Sequence, residues 1–363
     1  MLSFGLMALQ TTSEQMYFHE IAKRAHLHEM ACYRFVPSNI NPMTENVKGD
    51  YFNPQTNEWE TSEFPLPKIL YDRCFYKEDP HSQQCKAIVK WLKTKEDLIF
   101  LGYGLPNKME LYNKLADSEL SPYVLKSSLV SSGESVIDEL NSNKPFIIKP
   151  VNGSQGRGVY YLEKHNNEII VQTDKQNKTV TRTFAYKEKA ISLINYLIKD
   201  RDYLIQEYKK LTNKKNQPFD IRVLLQKDEN GDWKEVAKGI RTGKDKGIVS
   251  NISAGGTISP FQDWLAAYPS AKRDYLRNEM NEILRSLPQI LEKHFPPLFE
   301  IGVDLGVSED LSIWILDVNS KPGRKVALTI NPFLEDYLYS SPLLYGKRLD
   351  FERRKKNETT LSS

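Results

Sequence analysis

The chain has 363 residues, enough for two or three domains with substantial cores. Fifty basic against forty-seven acidic side chains leave a net charge of only +3, which supplies no whole-protein field for nucleic acid or anionic membrane. Cys32, Cys74 and Cys85 show no C-x-x-C spacing, which argues against a disulfide framework or zinc site and fits a reducing cytoplasm, and no apolar run approaches the roughly 20 residues of a membrane span.

The opening LSFGLMALQTT is apolar but has neither a basic region nor a small-residue cleavage site, so residues 3–9 read as a first strand and not as a signal peptide. Thr12 and Gln15 offer a capping-box start to a helix with Tyr17, Ile21 and Ala25 on its apolar face. ACYRFVP (31–37) supplies a second strand, and this βαβ opening predicts an α/β N-terminal domain. Residues 49–60 read as a hairpin turning at Asn53-Pro54, 68–74 as a strand, and 83–95 as a helix with Ala87, Ile88, Trp91 and Leu92 on one face. LIFLGYG (98–104) is a strand ending in glycines. Asn107 then caps a short helix with Lys108 in its first turn, where the macrodipole favours acids. That lysine is either solvated or faces a bound anion.

A helix over 133–141 precedes FIIKPVNGSQGRG (146–158), a short apolar strand that delivers Lys149 and runs into a loop containing Gly153, Ser154, Gly156 and Gly158. Glycines let backbone N–H groups approach phosphate oxygens, so the stretch suggests a polyphosphate clamp. Its spacing is neither a Walker A loop nor a dinucleotide fingerprint, and alone it reads equally well as a turn. A hairpin over 158–173 turning at Asn166-Asn167, a helix over 187–200 and the strand YLIQEY (203–208) follow. Next come a long hairpin from Phe219 with Glu229–Asp232 at its tip, a Gly/Ser-rich loop over 244–259, and helix over 262–295 broken near Pro269 and Pro288. The last hairpin spans 299–324 with its tip at Ser308–Asp310, and from Gly346 the chain reads as a solvated, frayed tail.

That last hairpin carries the most chemistry. Asp304 lies on one arm, and Asp317 and Asn319 lie two apart on the other, so they share a face. Two carboxylates and an amide on apolar strands repel unless a cation joins them, and such oxygens suit Mg²⁺ with substrate oxygens completing its shell; separate turn caps are the alternative. Gln206-Glu207-Tyr208 ends a strand whose backbone could read an adenine edge while the acid meets ribose. Asp220 and Arg222 share a face of the next strand. Arg241 and Asn251 flank the polar loop, where they could aim at a transferring phosphoryl group.

In this order the motifs IIKP with its glycine loop, IQEY, FDIRV and VDLG…ILDVNSKPG resemble the ATP-grasp superfamily, as in D-alanine–D-alanine ligase and ribosomal-protein glutamate ligase. FGLMALQTTSEQMYFHEIAKRA, KGDYFNPQTNEWE, ILYDRCFY, GYGLPNK and VNSKPGRK resemble one subgroup, the YheC/YheD-type endospore coat-associated proteins. The resemblance implies an α/β (α+β) chain: an ATP-grasp fold behind an N-terminal Rossmann-like pre-ATP-grasp domain. The divisions expected are 1–105 for the N-terminal domain, 106–345 for the ATP-grasp region, with a phosphate-clamp lid over about 120–207 and a metal-binding subdomain over about 208–345, and a basic and polar tail over 346–363.

It implies further that Lys108, Lys149, Gly153, Ser154, Gly156 and Gly158 bind ATP phosphates, with Lys149 also near the adenine. Glu207, Tyr208 and Asp220 would hold adenine and ribose. Arg241 and Asn251 would face the transferred phosphate, Arg241 and Lys149 serving catalysis, and Asp304, Asp317 and Asn319 would hold Mg²⁺. The implied activity is carboxylate–amine ligation through an acyl phosphate, on small-molecule or peptide carboxylates and amines, in the cytoplasm of a sporulating bacterium. An association with the spore coat, and other coat proteins as partners, belong to the same expectation. A coat protein that binds ATP without turnover and a phosphotransferase are the alternatives. Two positions depart from the ligases: Asp317 stands where they carry glutamate, shortening one metal arm, and Lys321 stands where a small residue is usual, reshaping the acceptor side.

Overall fold

A computed structural model describes residues 1–152, 158–175, 178–243 and 256–361. The first unit comprises β1 (Leu2–Met7), α1 (Gln15–Ala25), β2 (Met30–Phe35), β3 (Asn46–Asn53), β4 (Glu58–Pro65), β5 (Ile69–Asp72), α2 (Pro80–Leu92) and β6 (Ile99–Phe100). Its sheet runs β4-β3-β2-β1-β5-β6, parallel from β2 to β6, with the β3–β4 hairpin added antiparallel. Alternation along β1 sends Phe4 and Leu6 to the face covered by α1 and Met7 to the face covered by α2.

Two local expectations fail here. No capping box forms at Thr12–Gln15: α1 starts after Glu14, a left-handed residue (φ 53°) without a side-chain cap, and the Glu14 carboxylate instead accepts from Arg73 Nε at 2.7 Å. Helix α2 starts three residues early because Asp79 accepts from Ser82 N and Pro80 occupies its first turn. The buried stripe is therefore Cys85, Val89 and Leu92, and Trp91 is exposed.

The next unit holds α3 (Lys108–Ala116), β7 (Ser127–Leu129), α4 (Gly133–Leu140), β8 (Phe146–Pro150), β9 (Tyr160–His165), β10 (Glu168–Lys175), β11 (Lys178–Phe184), α5 (Lys187–Ile198) and β12 (Tyr203–Glu207). The antiparallel sheet β11-β10-β9-β8-β12-β7 packs one face on α4 and α5 through Ile148, Leu162, Val171 and Ile205. No burial pattern announces β11, because nearly all of its side chains are exposed.

A third sheet, β15-β14-β13-β16-β17, is also antiparallel and comprises β13 (Phe219–Lys227), β14 (Trp233–Thr242), β15 (Thr257–Pro260), β16 (Glu300–Val307) and β17 (Ile313–Asn319). Residues 257–259, expected in a loop, pair with β14 instead. Pro269 separates α6 (Phe261–Ala266) from α7 (Ser270–His294) as expected, but Pro288 does not break α7. An interior proline costs a helix about 3 kcal/mol. Leu276, Met280, Ile283, Leu287 and Leu291 of α7 are fully buried against this sheet, and each contributes about 1.5–3 kcal/mol. Burial wins.

After α8 (Lys325–Ile330) comes α9 (Glu335–Leu361), a continuous helix where a frayed tail was expected from Gly346. Its Tyr339, Leu343 and Tyr345 complete the core under α1 and β1. Gly346 lies so close to that sheet that a Cβ there would stand 3.1–3.3 Å from Ile69, Leu101 and Phe4. No helix among the described residues is long and apolar enough to cross a membrane.

Candidate active site

The site forms where β8 of the second sheet, β13–β17 of the third and helix α3 meet. Asn107 caps α3 by accepting from Glu110 N, which places Lys108 and Tyr112, four residues apart, on one face of the helix. Lys108 Nζ lies 2.5 Å from Asp317 Oδ1, so this lysine is not solvated. Tyr112 Oη donates to Leu316 O at 2.8 Å.

That carbonyl is available for a topological reason. Asp304 pairs with Asp317, yet the next residue, Leu305, pairs with Ile315, so Leu316 is the extra residue of a β-bulge. Lys149 Nζ reaches across from β8 to donate to the same Leu316 O at 3.2 Å and to Tyr112 Oη at 3.0 Å, lying 4.8 Å over the Tyr112 ring. Desolvation, helped by nearby Lys108, brings the Lys149 ammonium down to about 7 against the pull of Asp317 and Asp304.

On the other side of the hairpin, Asp304 is buried between two arginines. Arg241 Nη2 lies 2.8 Å from Asp304 Oδ2, and Arg222 Nη1 lies 2.9 Å from Oδ1 without hydrogen-bond alignment. Burial alone would raise the Asp304 carboxyl, but Arg222 and Arg241 hold it below the ordinary range. Asp220 accepts from Arg241 Nε and Nη2, both at 2.6 Å, and so fixes the guanidinium plane.

Asn319 Nδ2 donates to Gly302 O at 3.3 Å, which turns its amide oxygen away from that strand. Two register-paired carboxylates, one with an oxygen lacking an aligned donor, plus an oriented amide oxygen make a hard-oxygen donor set that fits Mg²⁺. Among the described residues no group of three or more His, Cys, Asp or Glu forms a metal cage, so a bound ion would need substrate oxygens or water to complete its shell.

The remaining expected residues separate into groups. Glu207 accepts from Lys209 at 2.9 Å and Lys144 at 3.3 Å, and those lysines lower its carboxyl, with Lys209 the larger influence. Lys209 in turn lies 4.9 Å over the Trp314 ring of β17. Tyr208 N donates to Pro145 O, so this amide is already engaged, and its ring meets Tyr161 edge-on. Asp220 stands with Arg241, which also holds Asp304. Gly158 takes φ +76° against Pro150. Gly153, Ser154, Gly156 and Asn251 lie outside the described residues.

Two participants were not singled out for the site by sequence, whereas Arg222 was noted on the face it shares with Asp220. Tyr112 was detectable, being one helical turn from Lys108. Leu316 was not, because a backbone carbonyl released by a bulge leaves no side-chain signature.

The N-terminal unit is joined to the loop that follows β17 and to the start of β16. Lys321 Nζ donates to Asp72 Oδ1 and Cys74 O, both at 2.7 Å, and Lys93 Nζ reaches Asp72 Oδ2 at 3.3 Å. The departure at Lys321 thus ties the loop after β17 to the end of β5. Beside it, the wholly buried Arg73 donates to Glu300 Oε1 at 2.9 Å, and Arg324 pairs with Glu300 Oε2.

A family model described as YheC/D like ATP-grasp matches residues 97–349. Endospore coat-associated protein YheC of Bacillus subtilis (strain 168) is 35% identical over 361 residues, covering 98% of each chain. The D-alanine-D-alanine ligase from Coxiella burnetii has a TM-score of 0.53 at 10% identity, covering 100% of this chain and 99% of the other. A Chryseobacterium gregarium RiPP-associated ATP-grasp ligase, solved with ADP and a leader and core peptide, gives 0.53 at 10% identity over 94% and 96%. Those two likenesses concern the fold, which is mixed α/β and ATP-grasp. With family match and near-full-length identity in agreement, the chain belongs to the YheC/D-like ATP-grasp family.

Proposed function

We propose that the protein is an ATP- and Mg²⁺-dependent carboxylate–amine ligase. One observation carries the reading: Lys108, Lys149, Arg222 and Arg241, from four separate elements, converge on the paired Asp304–Asp317 hairpin. A hairpin of acids ringed by cations suits a polyphosphate with its metal. In this reading residues 1–105 are the pre-ATP-grasp domain and 106–345 the ATP-grasp region. Asp304, Asp317 and Asn319 would hold Mg²⁺, and the ion would supply charge neutralisation to the polyphosphate.

A substrate carboxylate oxygen attacks the γ-phosphorus, the bond to ADP breaks, and an acyl phosphate forms. An amine nitrogen then attacks the acyl carbon, phosphate leaves, and the nitrogen gives up a proton to yield the amide. Arg241, its plane fixed by Asp220, offsets charge on the transferring phosphoryl group, while Lys149 and Lys108 grip the phosphates and Glu207 with Tyr208 faces the nucleoside. The relative solved with ADP and peptides supports peptides among the substrates. The name of the Bacillus relative supports a place at the spore coat.

The test is to incubate the protein with Mg-ATP and panels of amino acids, peptides and wall fragments. Phosphate release that requires both a carboxylate and an amine is expected. ADP with a phosphorylated acceptor would make it a kinase instead, and nucleotide binding without product across the panels would overturn ligation.

A further inference from the structure

Two of the three sheets end in long strands to whose outer edges no further strand is paired among the described residues. Strand β4 closes the first sheet with eight residues, and β11 closes the second with seven. The remaining edges differ: β6, β7 and β15 have two to four residues, and β17 is bridged by Val124 at Ile315 and held by Tyr112. An outer strand offers a row of unpaired N–H and C=O groups, which natural proteins commonly blunt with charge.

The charges on these two edges are of opposite sign. β4 presents Glu58, Glu60 and Glu63, and β11 presents Lys178 and Arg182. Glu60 and Glu63 accept only from the asparagines Asn53 and Asn46 of the neighbouring strand, and none of these five side chains has an ion-pair partner among the described residues. Glu58 and Glu60 share one face of β4, and Lys178, Val180 and Arg182 share one face of β11, with Val180 37% exposed between the two cations. Like charges opposed across a strand pair repel, and unlike ones attract. Two β4 edges therefore reject each other, as do two β11 edges, and only the mixed pair is favoured.

We infer that β4 of one molecule adds to β11 of a second copy of this chain, joining copies head to tail through a continuous sheet. The two surfaces of such a contact differ, so it repeats along an open chain of molecules unless its rotation closes a ring. Neither strand carries a residue of the candidate active site, so the inference stands whether or not the ligase reading does.

Sedimentation velocity over a dilution series at low ionic strength tests it. The average mass should rise with concentration and fall to that of a monomer in about 1 M salt, where the screening length shrinks to about 3 Å. The pair Glu58→Lys with Glu60→Lys should be monomeric, and so should Lys178→Glu with Arg182→Glu. An equimolar mixture of the two should assemble again, because each reversed edge then meets its complement on the other variant. Unchanged far-ultraviolet circular dichroism shows that both remain folded. A wild type that stays monomeric at low salt, or a reversed variant that assembles as wild type does, overturns the inference.

Discussion

The ammonium of Lys149 sits against Leu316 O and Tyr112 Oη with Lys108 close by, and desolvation has taken it down to about 7 from 10.5. Between those values the folded protein binds fewer protons than the unfolded chain at this residue, so its contribution makes stability rise with pH from about 7 to 10.5. Below pH 7 both states are charged there and the full penalty of burying the ammonium applies. Lys149→Met should flatten that rise in urea unfolding measured across pH. Phosphates arriving at the site favour the charged lysine, so Mg-ATP binding near pH 8 should take up a proton. Titration calorimetry in buffers of different ionisation enthalpy reads this, and buffer-independent heats would count against Lys149 as the phosphate grip. Loss of a charge-assisted hydrogen bond worth about 1.5–3 kcal/mol should weaken nucleotide binding in Lys149→Met roughly tenfold or more.

Among the elements, the loops that leave β5 and β17 depend on one another through Asp72. Burial would raise its carboxyl, but Lys321 and then Lys93 hold it at about 2, below its ordinary 3.8. The stabilisation is complete above pH 3.8 and is lost as pH falls toward 2. Asp72→Asn leaves two ammonium groups facing a neutral amide, and should cost about 1–3 kcal/mol at neutral pH while shortening the acid limb of the stability curve. An acid limb identical to wild type would refute the pairing. Order along the chain was legible here: strand alternation placed Asp317 and Asn319 on one face, and the long hairpins fell where turn residues predicted. Two features were not. The β16–β17 bulge and the persistence of α7 through Pro288 depend on partners distant in sequence, which local pattern does not report, whereas the early start of α2 was written locally in the Asp79 cap and Pro80.

At the scale of the molecule, α9 binds the end of the chain to its beginning. Its polar, basic composition reads as tail, and it folds because Tyr339, Leu343 and Tyr345 pack under α1 and β1 while Leu338 packs on Leu224 of β13. Leu343→Ala removes a fully buried side chain from the core shared with Phe4, Ile21 and Phe299, and should cost about 2–5 kcal/mol. Because that core joins α1, β1, β16's lead-in and α9, calorimetry should show the whole chain shifting together; an early, separate transition of the first sheet would argue against this coupling. Translation adds a matter of timing. The first sheet is synthesised early, yet Tyr339, Leu343 and Tyr345 arrive after more than two hundred further residues. At about 5–20 residues per second the delay is on the order of tens of seconds, during which α1 alone covers Phe4, Leu6 and Ile69 and the places of Tyr339, Leu343 and Tyr345 in that core stay open. The nascent chain thus carries a half-covered apolar core on the ribosome until α9 emerges, a natural landing place for a chaperone.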